Sequence, residues 1–235
     1  ITPLHAATQN VIGIGLAMPG VVDGNGLVKR STLLGWRNVD VRTLIERRFS
    51  LPVTVNNDAT AAMFTERLFG KGGPNMMFVR LRRGVGGAVL LGDVPVFGEN
   101  HAGGEIGHIS LDPQGPPCAC GKRGCLERLV SATSLHARLQ RNDERMRASI
   151  LREAGTYLGT ALSMPVGLLD LADVCVYGQS DIVNDTLLSA AQAQLDLLTG
   201  SSFHTRTIIR RCECEGEITL RGEALSVLHD YLENR

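Results

Sequence analysis

The chain has 235 residues, of which 43% are apolar and 20% charged, with Lys and Arg balancing Asp and Glu at 24 each. That much apolar material can bury a substantial core in one large or two small domains. The charge balance gives no general attraction to a polyanion or an acidic membrane surface. No run approaches the ~20 consecutive apolar residues of a membrane span, and residues 1–10 lack the basic and apolar regions of a secretory signal, so a cytoplasmic location without membrane contact is expected.

In chain order, VIGIGLAMPGVVD (11–23) reads as an apolar strand ended by Pro19 and Gly20, and GNG follows as a turn between strands. Residues 41–50 place Val41, Leu44, Ile45 and Phe49 at helical spacing, and LPVTV follows as a strand. Strand, helix and strand in alternation predict an α/β architecture. NNDATAAMFTERLFG then gives a polar cap at Asn57 or Asp58, a helix, and a stop at Gly70. MMFVRL and GGAVLLGDVPVFG read as two strands joined by a glycine turn, with a further turn at Gly92 and Asp93. The second half is mostly helical, with a buried strand DVCVYG between its last two helices and with Pro165 expected to bend or end the long one. Cys175 in that strand reads as a core residue. Cys212 and Cys214 read as alternating strand positions rather than a second metal site, since no further cysteine pair or histidine cluster accompanies them.

The densest chemistry lies in GEIGHISLDPQGPPCACGKRGCLE (104–127). His108, Cys118, Cys120 and Cys125 follow the pattern His-x9-Cys-x-Cys-x4-Cys, a donor set that suits tetrahedral zinc at roughly 2.0 to 2.3 Å. Gly121 and Gly124 can take positive φ, which lets the chain fold back between sulfurs. A disulfide with one spare thiol is the alternative; three clustered cysteines beside a histidine, in a chain without secretory features, favour the metal. Four protein ligands leave no open position, so such a zinc would be structural.

Glu105 and His108 stand three apart and project from one helical face. Glu127 lies just past the last cysteine. A histidine bound to metal through one nitrogen keeps the other for a hydrogen-bond partner. With Asn57 and Asp58, these groups make a set of donors and acceptors of the kind a sugar needs, because each hydroxyl both donates and accepts. Helix capping and solvated charge explain the same residues equally well on spacing alone.

Taken together, IGIGLAMPGVVD, GWRNVDV, LPVTVNNDATAA, GVGGAVLLGD, the cysteine loop and LGTALSMPVGLLDLADVCVYG resemble the ROK family of sugar-responsive repressors and sugar kinases. The resemblance implies an α/β, actin-like, hexokinase-type fold of two lobes with the sugar in the cleft between them, and with the N-terminal part of the first lobe missing. Residues 1–56 are expected to form the remainder of the first lobe, joined by a C-terminal helix at 222–235. Residues 57–221 are expected to form the larger lobe, carrying the zinc loop and the oligomerisation helices.

The family's sugar contacts fall on Asn57, Asp58, Glu105, His108 and Glu127, and its zinc ligands on His108, Cys118, Cys120 and Cys125. In kinase members the aspartate matching Asp58 is the general base for phosphoryl transfer, a task that suits a carboxylate beside a hydroxyl. The family's common Asn before GW is replaced here, where the chain reads STLLGW with Thr32 near that place.

Two internal departures bear on which branch the chain resembles. Kinases tend to read Gly-Thr-Gly-x-Gly-Gly where this chain has RRGVGG (82–87), which removes a hydroxyl and puts long side chains where backbone must approach phosphate. The glycine-rich turn that lies against nucleotide in kinases reads YGQS (177–180). Sugar-side residues are intact while both nucleotide-side loops have drifted. The resemblance therefore implies the effector-binding and oligomerisation region of a transcriptional repressor, with a sugar, amino sugar or sugar phosphate as effector, structural Zn2+ as metal, and homodimers or homotetramers as the assembly. Operator DNA would be read through a winged helix-turn-helix not found in these residues. The alternative is an ATP-dependent hexose or N-acetylhexosamine kinase.

Overall fold

The computed structural model describes residues 11–201, 203 and 205–233. Its internal contacts divide the chain into two units. The first takes residues up to Gly70, Phe97–Ala102 and the stretch from Cys214 onward; the second takes Lys71–Val96 and Gly103–Glu213.

The first unit opens with β1 (Ile14–Met18), which pairs in parallel with β5 (Val53–Asn57), Ile14 standing opposite Val53 and Met18 opposite Asn57. Pro19 and Gly20 end β1, as the sequence predicts, and β2 (Val21–Val22), β3 (Leu27–Ser31) and β4 (Trp36–Asp40) form a separate antiparallel sheet. The GNG turn between β2 and β3 is closed by Asp23, whose Oδ1 accepts from the N–H groups of Asn25 and Leu27 at 3.0 Å. Helix α1 (Val41–Phe49) is capped by Asp40, which accepts from Thr43 N–H, and stops at Ser50 in the left-handed conformation. Helix α2 (Asp58–Phe69) follows β5 directly. The core of the unit is Ile14, Val22, Val28, Val41, Val53 and Val55.

Helix α7 (Ile218–Glu233) belongs to this unit and packs against α2 and β1. The crossing is close because Gly222 has no side chain: a Cβ there would stand 1.7 Å from the Ala61 carbonyl oxygen. Thr65 Oγ1 donates to the Ile218 carbonyl at 2.6 Å beside it. The crossing also buries Glu223, 2% exposed, over Gly15. Its Oε2 accepts from Asn56 Nδ2 at 3.2 Å, while Oε1 has no hydrogen-bond partner.

The second unit is built on a five-stranded sheet in the order β10-β9-β6-β7-β8, from β6 (Met76–Leu81), β7 (Val85–Leu91), β8 (Val94–Pro95), β9 (Asp173–Gly178) and β10 (Ile208–Arg211). Strands β6, β9 and β10 run parallel, and β7 and β8 are added antiparallel at one edge. β6 is buried continuously from Met76 to Val79, the mark of a strand covered on both faces. The β7–β8 turn sits at Gly92 and Asp93, both at positive φ.

Helices α3 (Leu126–Val130), α4 (Ala132–Leu139), α5 (Glu144–Leu169) and α6 (Asp185–Thr199) complete the unit. Helices α5 and α6 begin where Asp143 and Asn184 accept from the N–H groups of Met146 and Leu187. Of the two outcomes expected at Pro165, a bend or an end, the helix does not end there: it continues to Leu169. A mid-helix proline costs about 3 kcal/mol, and the burial of Leu162 and Val166 on either side of it offsets that cost.

Cys175 is fully buried in β9. Strand β10 stops at Arg211, one residue short of the predicted cysteine alternation, although Cys212 N–H still donates to the Val176 carbonyl and both cysteines are buried.

Candidate metal centre and the carboxylates beside it

The metal centre is assembled within the second unit from the loop between β8 and α3. Glu105 leads into a single 3-10 turn at Ile106–His108, and Gly107 lies so close to β7 that a Cβ would meet the Val85 carbonyl oxygen at 2.0 Å. The chain then runs out and back. Ser110 bridges Cys125, Pro117 bridges Arg123, and the N–H groups of Leu111 and Asp112 both point at the Gly124 carbonyl. Gly121 and Gly124 make the reversals at φ 97° and 56°, as the sequence predicts.

The donor atoms of His108, Cys118, Cys120 and Cys125 lie within 4.8 Å of one another. Ligands roughly 2.0 to 2.3 Å from a common centre at tetrahedral angles stand about 3.5 to 3.8 Å apart. His108 Nδ1 is 3.6 Å from Cys118 Sγ, and Cys120 Sγ is 3.6 Å from Cys125 Sγ. The three sulfurs are free thiols with no disulfide among them.

Their acidities point the same way. Burial, together with hydrogen bonding to Cys120 and Cys118, pushes the Cys125 thiol up to about 12. Burial also opposes ionisation of Cys120, but the Lys122 backbone N–H and the Cys118 and Cys125 thiols outweigh it and hold that thiol below its ordinary value. Three sulfurs this close resist carrying negative charge together, and a divalent cation among them removes the conflict. The donor set and its spacing therefore fit a metal ion.

With Nδ1 of His108 facing the sulfurs, Nε2 faces the other way, 3.7 Å from Glu105 Oε2. Glu127 sits on the first turn of α3, two residues after Cys125, where Leu126 N–H donates to the Ile109 carbonyl and brings the two arms of the loop together. Its carboxylate reaches the turn between β6 and β7: Oε2 accepts from Val85 N–H at 3.2 Å and lies 2.6 Å from where a Gly84 Cβ would be. The sequence shows no sign of that link, because Gly84 reads there as part of the glycine turn between two strands.

Asn57 and Asp58 lie in the first unit at the junction of β5 and α2. Asn57 is the α2 cap, its Oδ1 accepting from Ala59 N–H at 2.8 Å and Thr60 N–H at 3.3 Å, with Nδ2 donating to the Gly20 carbonyl. Asp58 is the first helical residue. In the same turn between β6 and β7, within the second unit, the Arg82 guanidinium stacks over the Tyr177 ring at 5.7 Å from its centroid and donates to the Tyr177 hydroxyl at 3.4 Å.

A two-unit α/β chain with a His-Cys-Cys-Cys cluster set into the loop after an antiparallel sheet edge defines the class. Residues 1–162 match the ROK family, and the chain belongs to it. It is 32% identical over 148 residues to the xylose repressor of Bacillus spizizenii, across 62% of this chain and 38% of that one. It is 39% identical over 135 residues to a glucokinase of Halalkalibacterium halodurans, across 56% of this chain and 41% of that one. The matches thus span about two fifths of the relatives' length. Among solved structures, a ROK family transcriptional regulator homologous to the E. coli MLC protein superimposes with a TM-score of 0.84 at 23% identity, covering 98% of this chain and 66% of that one. The fold is the actin-like one of ROK repressors and sugar kinases.

Proposed function

We propose that the chain is the effector-binding region of a sugar-responsive transcriptional repressor, with zinc in the cysteine loop and a sugar or amino sugar as ligand. In this reading Asn57 and Asp58 from one unit and Glu105, His108 and Glu127 from the other supply the hydroxyl contacts. Zinc, held by His108, Cys118, Cys120 and Cys125, is structural and fixes His108 and Glu127. The sugar acts to the extent that it binds one state of the protein better, a coupling that is typically ~1 to 3 kcal/mol. Operator DNA is the partner the reading requires, contacted through a part of the protein outside these 235 residues.

The observation that carries the repressor branch is the Arg82–Tyr177 stack. The two residues stand one in each loop that departs from the kinase pattern, and they are engaged with each other. The xylose repressor likeness supports the same branch. The glucokinase likeness favours the second reading, an ATP-dependent sugar kinase with Asp58 as general base.

Calorimetric titration with a panel of pentoses, hexoses and N-acetylhexosamines, run beside a coupled ADP-release assay on the same panel, separates the two. A sugar that binds without releasing ADP is the expected result. Sustained sugar-dependent ADP release would overturn it.

A further inference from the structure

The cysteines outside the metal loop, Cys175, Cys212 and Cys214, are all buried, and none is in a disulfide. Two of them meet. The sulfurs of Cys175 on β9 and Cys212, just past the end of β10, lie within 4.8 Å of each other. The sheet brings them together. Cys175 stands opposite Arg210, and Cys212, two residues further on, returns toward the same face, its N–H donating to the Val176 carbonyl at 2.9 Å. The same two-residue diagonal joins Asp173 to Arg210, at 2.8 and 2.9 Å, and Phe78 on β6 to Tyr177, with ring centroids 6.4 Å apart. The partner of Cys212 is thus Cys175 and not Cys214, the neighbour that sequence spacing suggests.

The surroundings of the pair are dry. Cys175 and Phe78, opposite it on β6, are 0% exposed, while Cys212 is 7% exposed where the strand has stopped, which is the side from which an ion can enter. Two sulfurs are too few for structural zinc, which takes four ligands, and too soft for calcium or magnesium, which take oxygen. No third sulfur and no imidazole joins the group. Two thiolates alone suit a soft monovalent cation, and sulfur ligands select copper(I). Two metal–sulfur bonds of about 2.3 Å set in line span ~4.6 Å, which the spacing of this pair accommodates. A disulfide would instead require the sulfurs to close to ~2.05 Å.

We infer that Cys175 and Cys212 form a second metal site within the second unit, a two-coordinate one for copper(I). Binding breaks two S–H bonds, sends both protons to solvent and makes two S–Cu bonds, with no change of oxidation state. The site stands apart from the sugar reading and from the cysteine loop, which has its own four donors.

Copper(I) supplied without oxygen as its bicinchoninate complex, to protein whose loop is filled with zinc, is the measurement. The chelator's absorbance counts the copper transferred, and plasma mass spectrometry of the desalted protein counts the zinc kept; zinc content before titration reports on the loop separately. The expected result is one copper per chain with no zinc lost. Loss of a group that only supports a metal ligand costs roughly 10- to 100-fold, so Cys175→Ser and Cys212→Ser should each weaken copper binding by ~100-fold or more. Cys214→Ser, whose hydroxyl can still donate to the Thr65 carbonyl, should bind as the native chain does. X-ray absorption at the copper edge of the unaltered chain gives a readout independent of how the variants fold, and two sulfurs about the copper are expected. Failure to take copper beyond the zinc, zinc released copper for copper, an equal loss in Cys214→Ser, or three or more sulfurs about the copper would overturn the inference.

Discussion

Glu223→Gln tests how the first unit is held together. The Glu223 carboxyl is buried between α7 and β1, with one oxygen accepting from Asn56 and the other without a hydrogen-bond partner. Burial raises its pKa to about 7; the Asn56 hydrogen bond works against this, and the nearby Asp230 charge adds to it. In the unfolded chain the same group titrates at its ordinary 4.5. Below 4.5 it is protonated in both states and stability is unaffected. As the pH rises toward 7 the unfolded chain has released the proton and the folded one still holds it, so the fold loses stability across that window; above 7 the loss is constant. At 1.36 kcal/mol per pH unit the loss is about 3 kcal/mol.

Gln keeps the acceptor for Asn56 and cannot ionise. Urea unfolding of the two proteins at pH 4.5, 6 and 8 should give curves that agree at the lowest pH and separate upward, with the variant more stable by up to about 3 kcal/mol at pH 8. A variant equally stable or weaker than the native chain at pH 8, with the two matched at pH 4.5, would refute the assignment of a buried, proton-retaining carboxyl.

Gly222→Ala puts a methyl into the Ala61 backbone, which has no freedom to yield, and should cost about 2 kcal/mol or more in the same unfolding assay. Cys125→Ser, or treatment of the native chain with a strong chelator, should remove bound zinc measured by plasma mass spectrometry and lower the thermal midpoint by several degrees; an unchanged midpoint in zinc-free protein would dismiss a structural metal. Gly84→Ala should leave the fold intact, because what its methyl meets is the flexible end of Glu127, while displacing that carboxylate from Val85 N–H. Sugar affinity by calorimetry should fall by about 1 kcal/mol, roughly fivefold, with the thermal midpoint nearly unchanged.

The gathering of the His108–Cys118–Cys120–Cys125 donors was legible because its chemistry is written in residue types at short spacing: a histidine, three cysteines and two glycines suited to reversing the chain. The Asn57 cap was legible for the same reason, since a cap is a local contract between a side chain and the next turn. The sequence left open whether Pro165 bends or ends its helix, because the proline's local cost competes with the burial of Leu162 and Val166, which depends on a sheet laid down by strands far away in sequence. Glu223 and Asn56 were missed because nothing near either residue announces the other, 167 positions apart. The Glu127–Val85 hydrogen bond was missed because Gly84 already had a plausible duty as a turn residue, and only coordinates show that a carboxylate occupies the space a side chain would take.

That small vacancy at Gly84 has an evolutionary reading. In the turn at 82–84, Arg82 and Arg83 carry long side chains, and the third position is closed by the Glu127 carboxylate from α3. A descendant protein can abandon one chemistry at the outer positions while the inner one keeps that acid in register. Change at the outer positions and retention of the acid's place then become separable events, divided by the width of a single methyl group.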